Sequence, residues 1–404
     1  MEGLFNLNAF GRGEAPVKKI AECGRCGLAG SCISPKMPPS GEGKAKVLFI
    51  GDFPSEDDDR QGLHFQGEDG DFLREVLKGL GFRWEDAWFT NAILCRPKNG
   101  KLESGYSSCC LPTLNKTIEE LKPKVIVPLG KIALESVLSG AWKKDIGTLE
   151  RWVGWNIPLE KRNAWLCPTY HPRDVLKQQE DPIWRLIYSS HLKNALKRRL
   201  ERLNVVPLEE LEQQVEIIQD AKEAKMLLED LAKKKGVLAF DYETTGLKPD
   251  SNLQRIVSCS FCHEGKLTFA FKMKESLRDS LSKVLRNPKL KKVASNLKFE
   301  ERWTRAKFGH SVAGWHWDTM LAAHCLDNRS HITSVKFQAF VLLGIADYAS
   351  HVEPYLKTEY ANEVNKIEEL DDDELLLYNG LDSLLEYKVM ERQKEVFEKG
   401  VEIE

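Results

Sequence analysis

No stretch of this 404-residue chain is long and apolar enough to cross a bilayer, and Met1-Glu2-Gly3-Leu4-Phe5-Asn6-Leu7-Asn8 lacks the basic start and apolar core of an export signal. These absences predict an intracellular, cytoplasmic protein with no membrane partner. Charge of one sign is also lacking. The chain has 59 Lys and Arg against 61 Asp and Glu, a net charge of -2, so any nucleic-acid contact must come from local patches. With no export signal, the ten cysteines argue against a disulfide framework and toward metal or cluster ligation. What is present is ordinary for a globular protein: 42% hydrophobic and 30% charged residues. At roughly 100 to 200 residues per domain, the length predicts two domains with separate cores.

The run Val237-Leu238-Ala239-Phe240-Asp241-Tyr242-Glu243 reads as an apolar strand ending in two acids placed two apart. Alternation along a strand sends both to one face. Carboxylates that close need a cation, and Mg²⁺ or Mn²⁺ prefers such hard oxygen ligands.

In the first half, Cys23-Gly24-Arg25-Cys26 is a C-x-x-C in a Gly-rich loop, while Cys95 follows a predicted strand and Cys110 lies at a predicted helix start. Two near and two distant thiolates suit a four-thiolate centre, and the spacing is compatible with zinc or with an iron-sulfur cluster. Cys32 and Cys109 are spare candidates. Strands are predicted at residues 47–50, 87–94 and 125–129, and helices at 71–80, 114–121 and 131–138. That alternation implies a parallel sheet with helices on both faces, with ligands at the strand ends.

Four ordered motifs carry a resemblance: Gly51-Asp52-Phe53-Pro54-Ser55; the run from Glu56 to Gly67 containing His64-Phe65; Thr90-Asn91 leading to Cys95-Arg96-Pro97; and Thr169-Tyr170-His171-Pro172. Together with the four cysteines, these resemble family 4 uracil-DNA glycosylases over roughly residues 20–200. The resemblance implies a 4Fe-4S cluster on Cys23, Cys26, Cys95 and Cys110, and implies that Asp58 crowds C5 of the base and keeps thymine out. The residues suit the chemistry. Breaking the glycosidic bond places negative charge on the departing base, so His171 suits a donor near O2, Asp52 a positioner of water. Asn91 can offer one donor and one acceptor to the edge of an extruded uracil, with Phe65 stacked on it. This sequence departs from the family's Gly-Glu-Ala-Pro-Gly at Asp52, Phe53 and Ser55, and His64 stands where the family has Pro. The departures predict slower excision, or uracil binding without efficient cutting.

A basic run over residues 184–203, with Lys193, Lys197, Arg198, Arg199 and Arg202, suits phosphate contact. The charged stretch 204–212 with Pro207 reads as a linker between domains at 1–203 and 213–404. Beyond it, a strand at 215–218, a helix at 221–234 and two hairpin strands at 254–261 and 266–271 surround the acidic strand. Then Asn296 ends a strand before a helix carrying Glu300, Asp318 starts another helix, and Tyr378 and Asp382 lie four apart on one helix face. Asp371-Asp372-Asp373-Glu374 reads as a helix-start charge run.

This order resembles the DEDD-type 3'-5' exonuclease domain, with a tyrosine in its last motif, of bacterial family A DNA polymerases, over about residues 213–395. The resemblance implies an RNase H-like fold with two divalent ions held by Asp241, Glu243 and Asp382, and Tyr378 orienting the attacking water. Glu300 takes a position where the family has Asp and reaches a metal through a longer arm or a water; Asp318 is a weaker candidate that fits a fold-organising role. The expectation is an α/β protein, a glycosylase-like α/β/α domain followed by an RNase H-like domain, acting on uracil-containing DNA and on DNA 3' ends. The arrangement implies the N-terminal part of a polymerase or a partner of one supplied in trans; the alternative is a uracil-sensing module attached to an active exonuclease.

Overall fold

The computed structural model describes residues 26–399 apart from 104, 179 and 361. The first sheet has five strands: β1 (Val47–Gly51), β2 (Ala87–Asn91), β3 (Val125–Pro128), β4 (Ile157–Leu159) and β5 (Ala164–Leu166), in the order β2-β1-β3-β5-β4. β1 pairs with β2 in parallel, as β3 does with β5, and β4 closes the edge antiparallel to β5. β1 and β3 are buried along their whole length, as continuous apolar runs in a covered parallel sheet require.

The second sheet has six strands: β6 (Val215–Ile218), β7 (Gly236–Thr244), β8 (Ile256–His263), β9 (Leu267–Lys272), β10 (Leu290–Ala294) and β11 (Trp315–Asp318). Their order is β11-β10-β7-β8-β9-β6. β7 is central, antiparallel to β8 and parallel to β10. The 28-residue helix Asp372–Lys399 lays Leu375, Tyr378, Leu381, Leu384 and Leu385 into the core that also holds Ala239 of β7 and Val293 of β10. Apolar burial of this kind, at about 25 cal/mol per Å², fixes the helix to the sheet. The acids of that helix are therefore brought up to the acids of β7.

Two compact units divide the chain. One contains the chain up to Pro123 with Pro128–Val137 and His171–Ser189; the other contains Lys124–Val127, Leu138–Tyr170 and the chain from Ser190. The stretch 204–212 falls inside the second unit, and Leu208–Glu212 within it is a short helix with Leu211 buried. Also within that unit, Trp152 packs edge-on against Phe337 with ring centroids 5.1 Å apart. Two expected helix bounds shift the most. The helix expected from residue 114 runs from Tyr106 to Leu121, with Pro112 inside it, so Cys110 lies on the helix. The basic helix is Pro182–Arg198. Among the described residues, no helix is long and apolar enough to cross a membrane.

Candidate functional sites

The first site forms at the carboxyl end of β1. Gly51 ends that strand, and a Cβ there would lie 2.2 Å from Asn91 Oδ1 and 2.9 Å from Phe65 Cζ. Only glycine lets the two side chains meet over the strand. Phe65 adopts a left-handed backbone (φ 56°), a strained choice for a bulky residue. The surrounding loop holds it there. Gln66 N–H donates to Asp58 Oδ1 (2.5 Å), Ser55 N–H donates to Asp58 Oδ2 (2.9 Å), and Arg74 donates to the Phe65 carbonyl (2.9 Å). Asp58 is thus a buried loop organiser that also caps the helix Glu56–Gln61. Burial raises its carboxyl pKa, against the lowering effect of those amides.

The Phe65 ring lies 6.5 Å from His171, nearly parallel at 24°. His171 caps the helix Pro172–Leu176, and its Nδ1 accepts from Arg173 N–H at 3.2 Å. The ring proton therefore sits on Nε2, which remains a donor. Burial, then the charges of Arg173 and Lys177, push His171 down to about 3, so the imidazole is neutral near neutral pH. Asp52 follows Gly51 and accepts from Ala133 N–H at 2.9 Å, at the start of the helix Lys131–Leu138. Burial raises this carboxyl to about 6, with the Ala133 amide opposing. Asn91 is 2% exposed, and its Nδ2 lies 2.9 Å from His64 Nδ1. Phe65, Asn91 and His171 are brought together, with Asp52 next to Gly51.

Of the four cysteines expected to hold a cluster, Cys23 lies outside the described residues. Cys26, Cys95 and Cys110 share one small core with Leu28, Ile93 and Tyr106, and Cys32 packs there too. Lys36 N–H points at Cys95 Sγ (3.2 Å), the kind of amide contact that suits a thiolate. A soft sulfur donor set in an apolar setting fits an iron-sulfur group.

The second site is carried by β7 and the long carboxy-terminal helix. Ligand oxygens of Asp241, Glu243 and Asp382 all lie within 4.8 Å of one another. Burial, then the neighbouring acids, raises both Asp241 and Glu243. Crowded oxygens whose charge is disfavoured are the donor set a hard divalent cation neutralises. The acids line a cleft of about 340 Å³ that also contains Phe299, Met320 and Leu356.

Tyr378 is buried, and its hydroxyl accepts from Lys336 Nζ at 2.7 Å. Glu300 stands outside the convergent trio; it is 1% exposed, and its Oε2 is buried without a hydrogen-bond partner. Asp318 plays the organising role. Its carboxylate accepts the N–H groups of Asn296, Leu297, Met320 and Leu321, joining the end of β10 to the helix Thr319–Leu326.

Three residues escaped the sequence reading. Lys336 sits 3.6 Å from Asp382, Tyr348 donates its hydroxyl to Asp382, and Asn379 donates to Asp241 at 2.7 Å. A lone Lys in the apolar run Val335–Leu343 was the available signal for the first; the second had none.

Residues 38–202 match the uracil DNA glycosylase superfamily, and residues 215–352 match the 3'-5' exonuclease family. A type-4 uracil-DNA glycosylase of Archaeoglobus fulgidus is 31% identical over 163 residues, covering 40% of this chain and 81% of that protein. One of Pyrobaculum aerophilum is 32% identical over 168 residues, covering 39% and 82%. Solved structures that resemble the chain include the catalytic core of RRP6 from Trypanosoma brucei (TM-score 0.36, 16% identity, 48% of this chain and 50% of that one). Escherichia coli RNase D is another (TM-score 0.34, 13% identity, 45% of each). With the glycosylase motifs gathered at the end of β1 and the acids at β7, the chain belongs to the type-4 uracil-DNA glycosylase family and continues into a 3'-5' exonuclease domain.

Proposed function

We propose that the chain excises uracil from DNA at its first site and removes nucleotides from DNA 3' ends at its second. The convergence of two separate side-chain sets, one around Phe65 and one around Asp241, carries this reading. At the first, Phe65 stacks on an extruded uracil and Asn91 reads its edge. Neutral His171 donates from Nε2 to O2 as charge builds there, and Asp52 holds the water that takes the sugar. Cys23, Cys26, Cys95 and Cys110 are the residues that would hold a 4Fe-4S cluster.

At the second, Asp241, Glu243 and Asp382 are the residues that would hold divalent cations, with Glu300 behind them. When bound, a pair of such ions activates water and stabilises the leaving 3' oxygen. Tyr378, fixed by Lys336, orients the water, and the apolar side of the cleft takes the terminal base. A boundary between the two activities near 204–212 rests on the family matches, which end at 202 and resume at 215, while that stretch packs within the second compact unit; a DNA polymerase supplied in trans is the proposed partner, in the cytoplasm. One observation favours a second reading for the first site: Asp52, shorter than the family's Glu, is held back on Ala133 N–H. A carboxylate engaged in this way favours uracil binding without efficient cutting as the second reading.

The test is a 5'-labelled single-stranded oligonucleotide with one uracil, incubated in EDTA or in Mg²⁺. Abasic product in both and shortening from the 3' end only with Mg²⁺ is expected. Tight uracil-specific binding with no abasic product would establish the sensor reading, and neither binding nor product would overturn the first-site proposal.

A further inference from the structure

Asn91 can read a pyrimidine in either of two senses. With Oδ1 toward N3 and the amide nitrogen toward O4 it suits uracil, which has an N3–H donor and an O4 acceptor. Rotated by 180°, the same side chain suits cytosine, which has an N3 acceptor and a 4-amino donor. DNA is full of cytosine, so an enzyme that reads uracil through an asparagine needs the amide fixed in one sense.

The fixing element is His64. Its Nε2 lies 3.0 Å from the Pro38 carbonyl, which can only accept, so Nε2 carries the ring proton. Nδ1 is then a bare lone pair, 2.9 Å from the Asn91 side chain. Only the amide nitrogen can face it. Rotation would set Oδ1 against Nδ1, two acceptors in contact, with both residues buried (Asn91 2% exposed, His64 1%) and no solvent to relieve them. The opposite end of the amide fills the space that the missing Cβ of Gly51 leaves open beside Phe65. His64 is itself tied in, since Gln66 Nε2 donates to its carbonyl at 2.9 Å. Burial pushes the imidazole down to about 4, so the lone pair on Nδ1 persists through neutral pH.

The geometry points to His64 as a specificity-determining positioning residue, which locks the Asn91 amide in the sense that accepts uracil and refuses cytosine. The inference rests on the uracil-excision reading of the first site. It also gives meaning to a histidine at a position where the family has a proline.

The experiment compares the wild-type chain with His64→Phe, which keeps a planar ring but no acceptor, and with His64→Gln, whose amide can present either end. Excision rates are measured on matched single-stranded oligonucleotides carrying one uracil or one cytosine, and melting curves establish that each variant folds. The lock predicts that the cytosine-to-uracil rate ratio rises roughly ten- to a hundredfold in both variants. A fall in both rates with the ratio unchanged would reduce His64 to a packing role and overturn the inference. A second readout does not need turnover: nitrogen NMR of the His64 ring in the wild-type chain. A proton on Nε2 supports the lock, and a proton on Nδ1 overturns it. Should the wild type leave uracil in place, the excision reading fails, while the NMR result still decides whether the amide is held.

Discussion

Around Phe65 burial leaves the bases neutral, His64 at about 4 and His171 at about 3, whereas around Asp241 a strand and a helix crowd carboxylates into one cleft. The same physical term acts in both places, since burial disfavours the charged form of any group. Its consequences differ. A neutral imidazole still donates a hydrogen bond, so the proposed excision chemistry calls for no ion at the reacting atoms. A carboxylate that prefers its proton is a poor ligand until a cation offsets its desolvation, so the proposed 3' shortening calls for metal at the second site. Lys336 meets part of that need: burial works against its charge, but Asp382, Glu243 and Asp241 outweigh it and raise its pKa.

The sharpest way to break this contrast is Asp241→Ala. It should lower Mg²⁺-dependent 3' shortening by about three orders of magnitude and leave uracil excision unchanged, as gel assays on one labelled strand would show. Undiminished digestion would mean the acids of β7 are not the site. Next, Asp52→Asn should slow excision by roughly a hundredfold, the usual weight of a general base, with no effect on digestion. The pH profile sharpens the same point. Asp52 is raised to about 6 by burial, so it is protonated and unable to take a proton from water below that pH, and ionised above it. Excision should therefore fall about tenfold per pH unit below pH ~6 and level off above it. A flat single-turnover profile across that range would remove Asp52 from the chemistry. The smallest effect is structural: Asp318→Ala frees four backbone N–H groups and should cost about 1–2 kcal/mol in urea unfolding, with loss of digestion secondary to that.

Much of this could be read from the chain before any coordinates. The helix Lys131–Leu138 and the strand Val215–Ile218 have the bounds that periodicity gives them, and Asp241 and Glu243, two apart, both lie in the carboxylate cluster with Asp382. Local pattern suffices there because the chemistry is carried by neighbours in sequence. Lys336 and Tyr348 were not legible for the opposite reason. They reach Tyr378 and Asp382 across 42 and 34 residues, from the helix Val335–Leu343 and the loop after it, through packing that no short window encodes. The helix Tyr106–Leu121 starts before the expected residue 114 and accommodates Pro112 in its second turn, although proline is favoured in a first turn. His64 could be seen as an anomaly in its motif, but its meaning needed Pro38 and Asn91 beside it.

The most direct measurement follows both products from one uracil-containing strand as Mg²⁺ is titrated from an EDTA-buffered zero into the millimolar range. Abasic product should form at a rate independent of the cation, while 3' shortening starts at zero and saturates. Excision that rises with Mg²⁺ in step with shortening, or shortening that proceeds in EDTA, would contradict the division between a site complete as folded and one that waits for its ions.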